Sequence, residues 1–176
     1  MKNVLLIIDV QNDFCENGTL AIPYANEIIE PINKIMPEFD AIIATQDWHP
    51  KNHISFAVNH FKKEFDVVNT RYGKQILWPV HCVQNTLGAK FHPQLHANKI
   101  HHIVRTGYNP FIDSYSGFFY NDKKTSTGLE KLISSDDNLV ICGLARDYCV
   151  EWTYQDALKL GFKASILEDC CRSMNR

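Results

Sequence analysis

The sequence predicts an α/β fold: a mostly parallel sheet flanked by helices on both faces, in a three-layer, Rossmann-like arrangement. Three observations predict it. Short apolar runs recur along the chain, stretches of helical periodicity separate them, and polar or reactive residues follow directly after several of the runs. The 176 residues suffice for one domain with a sizeable core, and residues 1–176 read as a single domain without repeat, linker or low-complexity segment.

Residues 4–8 (Val4-Leu5-Leu6-Ile7-Ile8) are continuously apolar and short, which predicts a strand buried on both faces. A loop with Asn17-Gly18 follows. Ile28, Ile32 and Ile35 share one face of a helix; Pro31 sits awkwardly inside it and Pro37 marks its end. Residues 41–45 form a second strand. From Gln46 to Asn98 the periodicity fades, and histidines, tryptophans, prolines and asparagines collect; so long an irregular stretch is usually functional. Residues 100–105 form a third strand, 113–124 a loop, 127–134 a short helix and 138–142 a fourth strand. The next helix carries Val150, Tyr154, Ala157 and Leu158 on one stripe and stops at Gly161, before a fifth strand at 163–167.

A net charge of −2 with scattered lysines and arginines argues against nucleic acid or an anionic membrane as partner. The apolar run after Met1 is too short for a signal peptide or a membrane span. Six cysteines without a C-x-x-C pair read as reduced thiols, hence a cytoplasmic protein.

Ligands of such folds sit outside the carboxyl ends of the strands. That rule singles out Asp9, Asp47, Thr106 and the turn 143–149, each just past a strand. Cys149 falls at the start of a helix, where free amides and the dipole favour a thiolate and can hold an oxyanion; the plainer reading is a buried structural thiol. A carboxylate at Asp9, ending an apolar strand, is costly unless it has a partner or a task. In an extended Asp47-Trp48-His49, Asp47 and His49 share a face, and His81 can join them across the long loop. One carboxylate and two imidazoles form an open metal site, with His53 as a fourth ligand or a supporting group. Zinc is the first expectation for this divalent ion, with iron and manganese as alternatives. The plain reading is of ordinary loop histidines. Phe14 and Trp78 are loop aromatics suited to stacking on a flat ring, or simply to core packing.

Together these segments resemble the nicotinamidase branch of the isochorismatase-like cysteine hydrolases. The matching stretches run in order over nearly the whole chain: Asp9-Val10-Gln11-Asn12-Asp13-Phe14, Ala44-Thr45-Gln46-Asp47-Trp48-His49-Pro50, Trp78-Pro79-Val80-His81-Cys82-Val83, Phe91-His92-Pro93, Asp113-Ser114-Tyr115-Ser116-Gly117-Phe118 and Gly143-Leu144-Ala145-Arg146-Asp147-Tyr148-Cys149-Val150. The resemblance implies hydrolysis of nicotinamide to nicotinate and ammonia, in NAD salvage, through a thioester on Cys149 with Asp9 as proton carrier. It implies one divalent metal on Asp47, His49 and His81 holding the pyridine nitrogen. It further implies ring contacts from Phe14, Trp78 and Tyr115, an oxyanion hole from the Ala145 and Cys149 amides, and a cis peptide between Leu144 and Ala145. The implied partner is a small aromatic amide; an oligomer of identical chains is left open.

Two departures stand out. The family's catalytic lysine falls on Thr106, which carries no charge; Arg105 is adjacent but points to the opposite face unless the strand bulges. The chain is therefore expected to be an amidase in which Arg105 or water replaces the lysine, or a weakened one. The alternatives are a non-enzymatic pyridine binder and a hydrolase that activates water on the metal. The second departure is at the end: family members continue through another helix, and residues 170–176 resemble the loop before it.

Overall fold

In a computed structural model that describes residues 1–175, five parallel strands form one sheet. These are β1 (Asn3–Ile8), β2 (Ala41–Asp47), β5 (His102–Thr106), β6 (Asn138–Leu144) and β7 (Lys163–Arg172), in the order β5-β2-β1-β6-β7. Strand β1 lies in the middle, hydrogen-bonded to β2 and β6, which is why its run of residues is apolar on both faces. From β1 to β2 the chain steps one way across the sheet; from β6 to β7 it steps the other way. Right-handed crossovers then place helix α1 (Ile29–Ile35) and helix α2 (Glu151–Lys159) on opposite faces. The reversal falls between β1 and β6, and their carboxyl ends carry Asp9 and the turn leading to Cys149. A ligand crevice belongs at such a switch point.

Several expected elements change shape. The α-helix begins only at Ile29, after a 3-10 turn over Ala25–Ile28, so Pro31 occupies the first turn, where its missing N–H costs nothing. The predicted helix at 127–134 is a single 3-10 turn, Leu129–Leu132, entered through Gly128 at φ +93°. The irregular stretch hides an antiparallel hairpin, β3 (Val67–Thr70) with β4 (Gly73–Ile76). Strand β7 runs beyond the expected end at residue 167, through Cys170 and Cys171 to Arg172 and so into the expected loop, after a register shift against β6 between Ile141 and Gly143. All six cysteines are free. Among the described residues, no helix is long and apolar enough to cross a membrane.

Candidate active site

The strand ends converge on a small, partly open cavity. Phe14, Asp47, His49, Trp78, His81, Tyr115, Ala145 and Cys149 line it, all singled out by the sequence. Leu20, Asp113, Tyr148 and Met174 complete the wall and were not assigned there. Asp113 and Tyr148 lie inside matched motifs, which was the available signal; Leu20 and Met174 carried none.

Asp47 ends β2, and its two carboxylate oxygens face different partners. Oδ2 faces Nε2 of His49 at 3.1 Å and Nε2 of His81 at 3.6 Å. Each imidazole is oriented from behind: Nδ1 of His49 donates to the Gly107 carbonyl at 2.8 Å, and Nδ1 of His81 to the Pro79 carbonyl at 2.7 Å. A carbonyl can only accept, so these bonds fix Nδ1 as the protonated nitrogen and turn both Nε2 atoms toward Asp47. All three residues are buried, and their ligand atoms lie within 4.8 Å of one another. This donor set fits a divalent cation with open positions. Burial works against charge on His49, but the Asp47 carboxylate and its hydrogen bond prevail and push the imidazole up to about 9. Burial likewise pushes Asp47 up, and His49 with His81 outweighs it, holding the carboxylate well below its usual range.

His53 stands apart from this triad. Its ring stacks on His49 at 4.1 Å and its Nδ1 bonds Ser55 Oγ at 2.7 Å, while its buried Nε2 has no hydrogen-bond partner; with His49 and Asp113 it forms a second group whose ligand atoms lie within 4.8 Å of one another. Tyr115 receives hydrogen bonds at its hydroxyl from Trp78 Nε1 at 3.0 Å and from Gln75 Nε2 at 3.2 Å. The missed hairpin thus has a task, since Gln75 on β4 also bonds Asp113 Oδ2 at 2.9 Å.

Asp9 leaves β1 at φ +48° with its carboxylate buried and Oδ1 accepting from Thr45 Oγ1 at 2.6 Å. Burial and the neighbouring charge of Asp47 push Asp9 up to about 7, against hydrogen bonds from Thr45 and Cys149. Cys149 sits in a π-helical turn, Arg146–Val150, directly before α2. The Leu144–Ala145 peptide before the turn is cis, as expected. The turn is anchored by Thr153 Oγ1, which donates to the Cys149 carbonyl at 2.6 Å and accepts from the Gly117 amide at 2.9 Å. The expected thiolate is not favoured. Burial comes first, then the charges of Asp9 and Asp47, and together they hold the thiol well above its usual value.

Thr106 is buried at the end of β5, in register with Asp47, and its Oγ1 donates to Asp47 Oδ1 at 3.1 Å. Arg105 does not replace a lysine here. The pairing with β2 runs on without a bulge, so the side chain points outward. Its guanidinium lies 4.0 Å from the centre of the Trp48 ring and bonds Gln46 Oε1 at 3.4 Å, facing a separate surface groove.

The model of the isochorismatase domain matches residues 3–176. The chain belongs to the isochorismatase family. Within it, a nicotinamidase of Acinetobacter baylyi is 45% identical over 174 residues, covering 97% of this chain and 81% of the relative. The structure of the yeast nicotinamidase bound to the inhibitor nicotinaldehyde superposes with a TM-score of 0.91 at 33% identity, over 98% of this chain and 89% of the other. A pyrazinamidase of Pyrococcus horikoshii in complex with zinc superposes with a TM-score of 0.79 at 33% identity, over 99% and 88% of the two chains. The family's α/β fold is therefore the one the apolar runs predict.

Proposed function

We propose that this protein is a nicotinamidase, hydrolysing nicotinamide to nicotinate and ammonia. The observation that carries the reading is one small cavity lined at once by Cys149, the Asp47-His49-His81 group and aromatic walls. Residues 1–176 act as one hydrolase domain, a reading supported by the family match over 3–176. The free thiols and the small-molecule substrate suit the cytoplasm.

Phe14, Trp78 and Tyr115 hold the ring, and the Cys149 sulfur attacks the carboxamide carbon. Asp9 takes the thiol proton as the C–S bond forms; with a pKa of about 7 it is a base matched to neutral pH. The oxyanion meets the amides of Ala145 and Cys149. Asp9 then returns the proton to the leaving nitrogen, the C–N bond breaks, and ammonia departs from a thioester. Water attacks the thioester with Asp9 as base, releasing nicotinate and the thiol. Asp47, His49 and His81 would hold a divalent ion, a donor set that suits zinc, iron or manganese, and the ion would supply a fixed positive charge for the pyridine nitrogen.

No lysine or arginine lines the cavity among the described residues, which favours a slower amidase over one with a buried cation beside Asp9. Ammonia release with nicotinamide and benzamide tests the reading. Nicotinamide should be preferred by about 10²-fold or more in kcat/KM, because benzamide lacks the ring nitrogen. Equal turnover of the two amides, or none of either by zinc-loaded protein, contradicts it.

A further inference from the structure

The buried hydroxyl of Thr106 has no part in the reaction just described, although it lies within the site. Asp9 takes its own hydrogen bond from Thr45. The hydrogen bond of Thr106 goes to Asp47 Oδ1, the oxygen turned away from the imidazoles, while Oδ2 faces His49 and His81. The main-chain amide of Asp47 is held in turn by Gln11 Oε1 at 2.8 Å. The next residue, Gly107, supplies the carbonyl that orients His49. One dipeptide at the end of β5 therefore sets two of the three ligands.

We propose that Thr106 is a positioning residue for the metal, one that fixes the Asp47 carboxylate so that a single oxygen is presented to the ion. The inference rests on Asp47, His49 and His81 being the metal ligands. A monodentate carboxylate with its second oxygen bound elsewhere has a defined direction; one without such a bond rotates and must be ordered when the ion binds. The role depends on the hydroxyl, so valine at this position, of the same shape, loses it and serine retains it.

The test is zinc affinity of the full chain, read by competition with a chromophoric chelator, with no substrate present. Thr106→Val should weaken zinc binding by about 10- to 100-fold, the usual cost of removing a group that orients a metal ligand. Thr106→Ser should restore most of it, and cobalt substituted for zinc should show an altered d–d spectrum in the valine variant alone. Zinc affinity unchanged in Thr106→Val overturns the proposal, whether or not turnover falls. So does a Thr106→Lys variant that gains turnover at undiminished zinc affinity, because the position would then serve the reacting groups. If the valine variant does not fold, serine against lysine gives the same comparison. Failure of the parent chain to bind zinc at all overturns the metal reading itself, and this inference with it.

Discussion

Asp9 and Cys149 hold one proton between them, and the surroundings decide where it rests. Burial first, then the charges of Asp9, Asp47 and Asp113, hold the thiol protonated, so on the proposed reading attack is coupled to proton transfer onto Asp9. The same crowding makes Asp9 a liability to the metal-free fold at high pH. Its pKa rises from 3.8 to about 7 on folding, chiefly through burial. Between those values the native state binds more protons than the unfolded state, so stability falls as pH rises through that window. Asp9→Asn should therefore flatten this decline and raise the urea midpoint of metal-free protein at pH 8, with little gain at pH 4. A variant less stable than the parent at pH 8 contradicts the burial argument. At this scale the sequence was most informative where a residue type was out of place: a carboxylate ending an apolar strand, a cysteine beginning a helix. It was least informative where direction mattered. Alternation along the strand sufficed to turn Arg105 away from Thr106, but the partner of Thr106 cannot be read without the register of β5 on β2.

Among elements, the strand ends set the site and the connections furnish it. Gly107 follows β5 at φ +59°, and a Cβ there would run into the His49 ring. Gly107→Ala therefore strains the backbone and displaces the His49 ring, a proposed metal ligand, together. It should lower zinc affinity by about 10-fold or more, measured by chelator competition, with loss of thermal stability as well. Unchanged affinity would mean that the His49 ring is not held by this turn. The strands at 4–8, 41–45 and 138–142 were legible because a strand in the middle of a parallel sheet must be apolar on both sides. The hairpin of β3 and β4 was not: half-exposed, four residues to a strand and joined without an Asn-Gly turn, it lacks the alternation that marks a strand. The segment 127–134 has helix-forming residues but only Leu129 and Ile133 to bury, and it keeps a single turn.

The molecule as a whole brings together residues 140 positions apart because the strand order reverses beside β1. Asp9 and Cys149 emerge on either side of that reversal, while β2 and β5 present Asp47 and Thr106 on one flank. The C-terminal segment closes over the opposite flank: Asp147 accepts from the amides of Met174 and Asn175 at 2.9 and 3.0 Å, and Met174 reaches the cavity wall. On the proposed reading, Cys149 is the nucleophile and the metal group holds the ring. The decisive measurement is ammonia release from nicotinamide by zinc-loaded Cys149→Ala, set against the parent at equal zinc content. Loss of the sulfur should reduce kcat by on the order of 10³-fold or more while zinc stays bound. Near-parent turnover by the alanine variant would contradict it and transfer the chemistry to water at the metal.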